Sequence, residues 1–227
     1  MNRAPIGEQQ LEEIAHILAP IINELAFVGG AILFTYLPTA KTLQLRPTYD
    51  LDAVIQLVGY SELETLNKQL KNIGFYPDPE SNVICRYTNG TFTLDVMPTD
   101  TSILGFSNKW YQTGLINKEW YVLSSSIKIP RFTLDYYLAS KWEAAKNRGG
   151  SDLRFSKDME DITTILSKID INEITESEND VTEYLKSAFR DFLNHNYAEE
   201  IILAHLPGIE KLNLEAILST INDFISE

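Results

Sequence analysis

The chain has 227 residues, a single cysteine and a formal net charge of −13. A hydrophobic content of 44% and a charged content of 22% describe a globular chain long enough for a sizeable core, in one large or two modest domains. The acidic balance disfavours broad electrostatic attachment to nucleic acid, no apolar run approaches the ~18–20 residues of a membrane span, and the lone Cys85 cannot form an internal disulfide. A buried thiol and a cytoplasmic location are expected.

Glu8 to Leu25 carries Leu11, Ile14, Leu18, Ile21, Ile22 and Leu25 at helical spacing, with Pro20 kinking or splitting the helix. The acidic, amphipathic character of this stretch is unlike a signal-peptide core. Ala26 to Val28 reads as a short buried strand ended by Gly29-Gly30, and Ala31 to Tyr36 resumes helically. Leu51 to Val58 is apolar and β-branched, a core strand. Ser61 to Lys71 is a helix with Ser61 as cap and Glu64 completing a capping box, closed by Gly74, and Phe75 to Pro79 follows as a loop. Asn82–Tyr87 and Thr91–Met97 flank Asn89-Gly90, the signal for a β-hairpin. Glu119 to Leu123 reads as a further strand, and Pro130 marks a boundary.

From Arg131 onward the pattern is helical: Thr133–Arg148 ended by Gly149-Gly150, Asp158–Lys168 capped by Ser156, then Val181–Asn194 and Leu212–Ile225, with a loop over residues 175–180. The fold class is therefore α+β, a mixed sheet with helices packed on it followed by a C-terminal helical region, with domains expected at 1–129 and 130–227.

Chemistry concentrates on carboxylates. Strand side chains alternate, so Asp50 and Asp52 leave one face while Leu51 and Ala53 leave the other. Two acids on one face repel unless a cation lies between them, and Mg²⁺ takes one or two carboxylates plus substrate phosphates. Thr91 to Met97 also alternates, with Asp95 on the face of Thr93 and Met97. If the two strands are neighbours, Asp95 becomes a third ligand, and three carboxylates suit a two-metal clamp for displacement at phosphorus. Gly29 and Gly30 supply a turn where backbone approaches a phosphate closely. Lys141 lies beside the apolar stripe of its helix, either snorkelling to solvent or neutralising a polyanion, and Arg148 lies two turns along the same face. Arg131, Lys141, Lys146, Arg148, Arg154 and Lys157 form either a local basic groove or solvated helix faces. Trp110, Tyr111, Trp120 and Tyr121 belong to packing more readily than to base stacking. His16, His195 and His205 lack the spacing of a zinc site or dyad, and no P-loop is present.

Gly29-Gly30, a helix, Asp50-Leu51-Asp52 and a later strand Asp95 resemble the active-site pattern of the DNA-polymerase-beta-like nucleotidyltransferases. Within that superfamily, Arg46-x-Thr48-x-Asp50-Leu51-Asp52 and Lys141…Arg148…Lys157-Asp158-x-x-Asp161 resemble the AbiEii/AbiGii abortive-infection toxins. The resemblance spans Phe27 to Ile162. It implies a nucleotidyltransferase core with Asp50, Asp52 and Asp95 as ligands of Mg²⁺ (or Mn²⁺). It further implies phosphate or nucleotide contacts from Gly29, Gly30, Arg46, Thr48, Lys141 and Arg148, with Lys141 and Asp158 brought into the cleft by the helical domain. The helix after the glycines would aim its N–H groups at the triphosphate, and the long interval to Asp50 implies that this helix is extended. The implied activity is transfer of a nucleoside monophosphate from an NTP to tRNA or a protein side chain. Such an enzyme would be the toxin of a bacterial toxin–antitoxin or phage-defence pair, with a possible cognate antitoxin and no membrane partner. Antibiotic-type transfer to a small molecule is an alternative that the negative charge suits, and a catalytically silent binding module of the same fold is another.

Overall fold

The structure, a computed structural model, describes residues 4–38, 45–105, 107–148, 152–169, 174, 179–206 and 213–226. It is α+β and divides into two compact units, Met1–Thr35 with Leu45–Thr133, and Tyr36–Gln44 with Leu134–Glu227.

The first unit is built on a seven-stranded mixed sheet: β1 (Leu25–Val28), β2 (Leu51–Ile55), β3 (Tyr76–Pro77), β4 (Arg86–Thr88), β5 (Thr93–Pro98), β6 (Glu119–Val122) and β7 (Lys128–Arg131), in the order β3-β4-β5-β2-β1-β7-β6. All four β1 residues are buried, as a near-continuous apolar run at the middle of a sheet requires. β2 runs antiparallel to β1 and parallel to β5. The parallel step needs a crossover, which contains α2 (Tyr60–Asn72) and the short strands β3 and β4, with β3 at the edge. α1 (Glu8–Ile17) buries Leu11, Ile14 and Ala15 and stops ahead of Pro20, so the proline splits the expected helix, and a 3₁₀ turn over Ile22–Glu24 leads into β1.

Several boundaries differ from expectation, each for a local reason. α2 is capped by Gly59, whose φ is +81°, and Ser61 lies inside the first turn. The Glu62 carboxylate accepts the Val58 N–H, which replaces the expected Ser61/Glu64 box. The hairpin forms at Asn89-Gly90, where the Asn89 Oδ1 accepts from Thr91 and Phe92, but β4 begins only at Arg86. The 75–79 loop holds the two-residue strand β3, paired with β4. β7 continues the sheet through Pro130 and past residue 129, with Pro130 opposite Trp120 and Arg131 beside Phe27. A proline argues against an interior strand, which is why this one is hard to read from sequence. Two short helices, α3 (Thr101–Leu104) and α4 (Tyr111–Ile116), precede β6. Trp110 and Tyr111 are buried there, and Tyr111 donates its hydroxyl proton to Met97 Sδ. Packing accounts for this pair of aromatics.

The second unit is helical: α5 (Leu134–Arg148), α6 (Lys157–Leu166), α7 (Asp180–Leu193), α8 (Ala198–His205) and α9 (Leu214–Ser226). Ser156 caps α6 by accepting the Met159 N–H, as its position suggests. Trp142 of α5 meets Phe189 and Phe192 of α7 edge-on, and Phe189 meets Phe224 of α9, an aromatic spine through the unit. α8 has no counterpart among the expected helices. Gly149 and Gly150, and residues 175–178 of the expected loop, lie outside the described residues.

Candidate active site

The register of β2 against β5 pairs Asp52 with Asp95. On parallel neighbours in register, both side chains leave the same face, and Asp50, two residues before Asp52, shares that parity. Leu51, Ala53, Leu94 and Val96 occupy the opposite, buried face. Three acids are thus brought together by one strand pairing. Directly opposed like charges are destabilising, by about 3 kcal/mol at ~5 Å in a medium of effective dielectric ~20.

Arg86 offsets this repulsion. β4 places it opposite Asp95 in the antiparallel ladder. Its Nε donates to Asp95 Oδ1 at 2.8 Å and its Nη2 to Asp95 Oδ2 at 2.7 Å, a two-point fork. The same Nη2 donates to Asp50 Oδ2 at 2.8 Å. These interactions hold the guanidinium more firmly protonated than usual, chiefly through the hydrogen bond to Asp95. Together the three carboxylates and the guanidinium carry a formal charge of −2. Beside them the buried Cys85 thiol is pushed up to about 11, first by burial and then by the negative charge of Asp95 and Asp52.

Gly29 explains how Asp52 is accommodated. β1 pairs Val28 with Asp52, and the next residue, Gly29, turns with φ +78°. A Cβ at Gly29 would lie 1.9 Å from Asp52 Oδ2 and 2.9 Å from Asp52 Cβ. The glycine is needed twice, for its backbone angle and for the space that the carboxylate fills.

Gly30 opens a 3₁₀ segment, Gly30–Tyr36, rather than an extended α-helix. Residues 39–44 lie outside the described residues, and 45–49 carry no regular structure, so no longer helix fills the interval among the described residues. Arg46 is half-buried in that approach to β2. Thr48 is buried, its carbonyl accepting the Ile6 N–H at 2.7 Å while its Oγ1 has no hydrogen-bond partner among the described residues.

Lys141 and Asp158 meet inside the helical unit. Lys141 Nζ lies 3.0 Å from Asp158 Oδ1 and 2.6 Å from Asp161 Oδ2. Asp161 is 1% exposed and Lys141 8%, so this is a buried ion-pair triad and not a lysine snorkelling to solvent. Its charge is engaged by two carboxylates, Asp158 among them. Arg148 is the last residue of α5, and its side chain lies outside the described set. Arg131 donates to Glu119, and Arg154 donates to Asp152 and Glu200.

Arg86 is the residue that motif reading missed. The signal was partial: a two-residue Asn89-Gly90 turn would pair Arg86 with Thr93, on the face of Asp95, whereas the actual register pairs Thr88 with Thr93 and Arg86 with Asp95.

As donors, Asp50, Asp52 and Asp95 fit a hard divalent cation. Among the described residues no three His, Cys, Asp or Glu side chains stand together as a ready-made metal cage. Mg²⁺ does not require one, since it uses one or two carboxylates and completes its shell with water and substrate phosphates. Among the described residues no helix is long and apolar enough to cross a membrane. Compared with protein-family models and with curated proteins, the chain gives no match.

Proposed function

We propose that this protein is a metal-dependent nucleotidyltransferase that moves a nucleoside monophosphate from an NTP to an acceptor hydroxyl and releases pyrophosphate. The observation that carries the reading is the register of Asp52 with Asp95, with Asp50 on the same face and Gly29 packed under Asp52. Asp52 and Asp95 would hold Mg²⁺ or Mn²⁺, with Asp50 joining them. When bound, the metal supplies positive charge against the triphosphate and lowers the pKa of the acceptor hydroxyl. Asp95, 7% exposed, is the carboxylate to which the hydroxyl proton passes as the new P–O bond forms and pyrophosphate leaves. Gly29 leaves the space that the Asp52 carboxylate fills, and so sets where that ligand stands. Lys141 enters this reading already paired with Asp158 and Asp161, so the groups of the sheet unit bear its weight. The acceptor class proposed is tRNA or a protein side chain, in a toxin of a toxin–antitoxin or phage-defence pair.

One observation favours a second reading. Arg86 already bridges Asp50 and Asp95 and offsets part of their charge from within, which suits a catalytically silent binding module of this fold. The test is transfer from each α-labelled NTP, with Mg²⁺ or Mn²⁺, to total bacterial tRNA and to the protein itself. Label that disappears in Asp50→Ala/Asp52→Ala supports the transferase and names its acceptor class. Absence of label on any acceptor, small cationic molecules included, favours the silent module.

A further inference from the structure

Arg86 has no task in the reaction set out above, yet backbone register delivers it to the carboxylates. Its side chain is 24% exposed and that of Asp95 9%, so solvent and salt screen the fork only in part. A guanidinium keeps its proton throughout the accessible pH range and can leave a carboxylate only by moving. A divalent ion entering between Asp50 and Asp95 therefore meets a positive charge that already spans both. Once displaced, the planar fork of Arg86 matches a phosphate as well as it matches a carboxylate.

We infer that Arg86 is a displaceable counter-cation that discriminates against free divalent ions and in favour of an ion arriving with a polyphosphate. The free ion must expel the guanidinium and give it nothing in return. The ion that comes with a triphosphate offers Arg86 new anionic oxygens in exchange for those of Asp50 and Asp95. Arg86 thereby couples metal affinity to nucleotide occupancy, and this inference rests on the metal-dependent reading of Asp50, Asp52 and Asp95.

The test reads Mn²⁺ binding from the ion retained with the protein in equilibrium dialysis, with the analogue, where used, on both sides of the membrane. It compares the wild-type protein, Arg86→Gln and Arg86→Lys, with Mn²⁺ alone and then with a saturating non-hydrolysable triphosphate analogue. With Mn²⁺ alone, Arg86→Gln should bind about tenfold tighter or more than wild type, since a charge-assisted hydrogen-bond set no longer competes. Arg86→Lys should fall between them, because an ammonium cannot make the fork. The analogue should tighten Mn²⁺ binding by a larger factor in wild type than in Arg86→Gln. Circular dichroism checks the fold, and the lysine variant carries the comparison if the glutamine variant does not fold. Equal or weaker Mn²⁺ binding in both variants, with wild type binding, would overturn the role of Arg86 and leave the metal site standing. No Mn²⁺ binding by any of the three proteins, with or without the analogue, would remove the metal site itself and the transferase with it.

Discussion

Replacing Gly29 by alanine tests the core of the site without touching a charged group. The backbone there has φ +78°, and an L-residue in this region costs about 1–2 kcal/mol. The added methyl would lie 1.9 Å from Asp52 Oδ2, 2.7 Å from Cγ and 2.9 Å from Cβ. Rotating the carboxylate away relieves the first two contacts. The third is to the Asp52 Cβ, whose position is set by the β2 backbone, so β1 and β2 must also shift. Forced shifts of this kind in packed structure cost about 1–3 kcal/mol, giving a total of about 2–5 kcal/mol. Gly74 is the control. Its φ is +88° and a Cβ there meets nothing within 4 Å, so Gly74→Ala should show the backbone cost of about 1–2 kcal/mol alone. Urea unfolding followed by circular dichroism measures both, with unchanged m values required for the comparison. If Gly29→Ala costs no more than Gly74→Ala, Asp52 does not rest on Gly29 and the site geometry is wrong.

Two other expectations concern buried charge and thiol chemistry. Lys141→Met leaves Asp158 and Asp161 facing each other, with side chains 13% and 2% exposed, and should destabilise by about 3–5 kcal/mol. Adding Asp158→Asn and Asp161→Asn should recover most of that loss in urea melts, whereas a cost under ~1 kcal/mol for the single variant would mark an ordinary solvated pair. Cys85 has its pKa raised from 9.0 to about 11, so between these values the folded chain keeps a proton that the unfolded chain releases. Its contribution to stability is full below pH 9 and falls as pH rises toward 11. The stability difference between wild type and Cys85→Ala should therefore shift against the wild type over that window. A difference independent of pH there would contradict the thiol's burial beside the acids.

Much of this site is legible in the sequence because it depends on strand parity. Asp50, Asp52 and Asp95 each stand in an alternating run, and alternation alone selects their faces. That β2 and β5 are neighbours is a tertiary fact, suggested by the family resemblance and given physically by the crossover between them. Arg86 was readable only as to its face, since the Asn89-Gly90 turn alone would pair it with Thr93 and the actual register carries it on to Asp95, and an arginine in a short strand carries no motif. The contact between Gly29 and Asp52 was not readable, because it depends on how two antiparallel strands end beside each other. Lys141 was legible only as a pair of alternatives. Its place next to an apolar stripe left it free to snorkel or to reach a ligand, and its actual partners come from α6, whose packing against α5 no local pattern specifies. Pro130 misled for a sound reason, since proline is rare in interior strands and β7 is such a strand.

The central claim is that the carboxylates of β2 and β5 bind a nucleotide through a divalent metal. Calorimetric titration with each NTP, in Mg²⁺ and then in chelator, tests it most directly, using wild type and Asp52→Asn. Binding that requires Mg²⁺ and disappears in Asp52→Asn is the expected result. Binding that persists unchanged in chelator or in the variant, or no binding of any NTP, would contradict it.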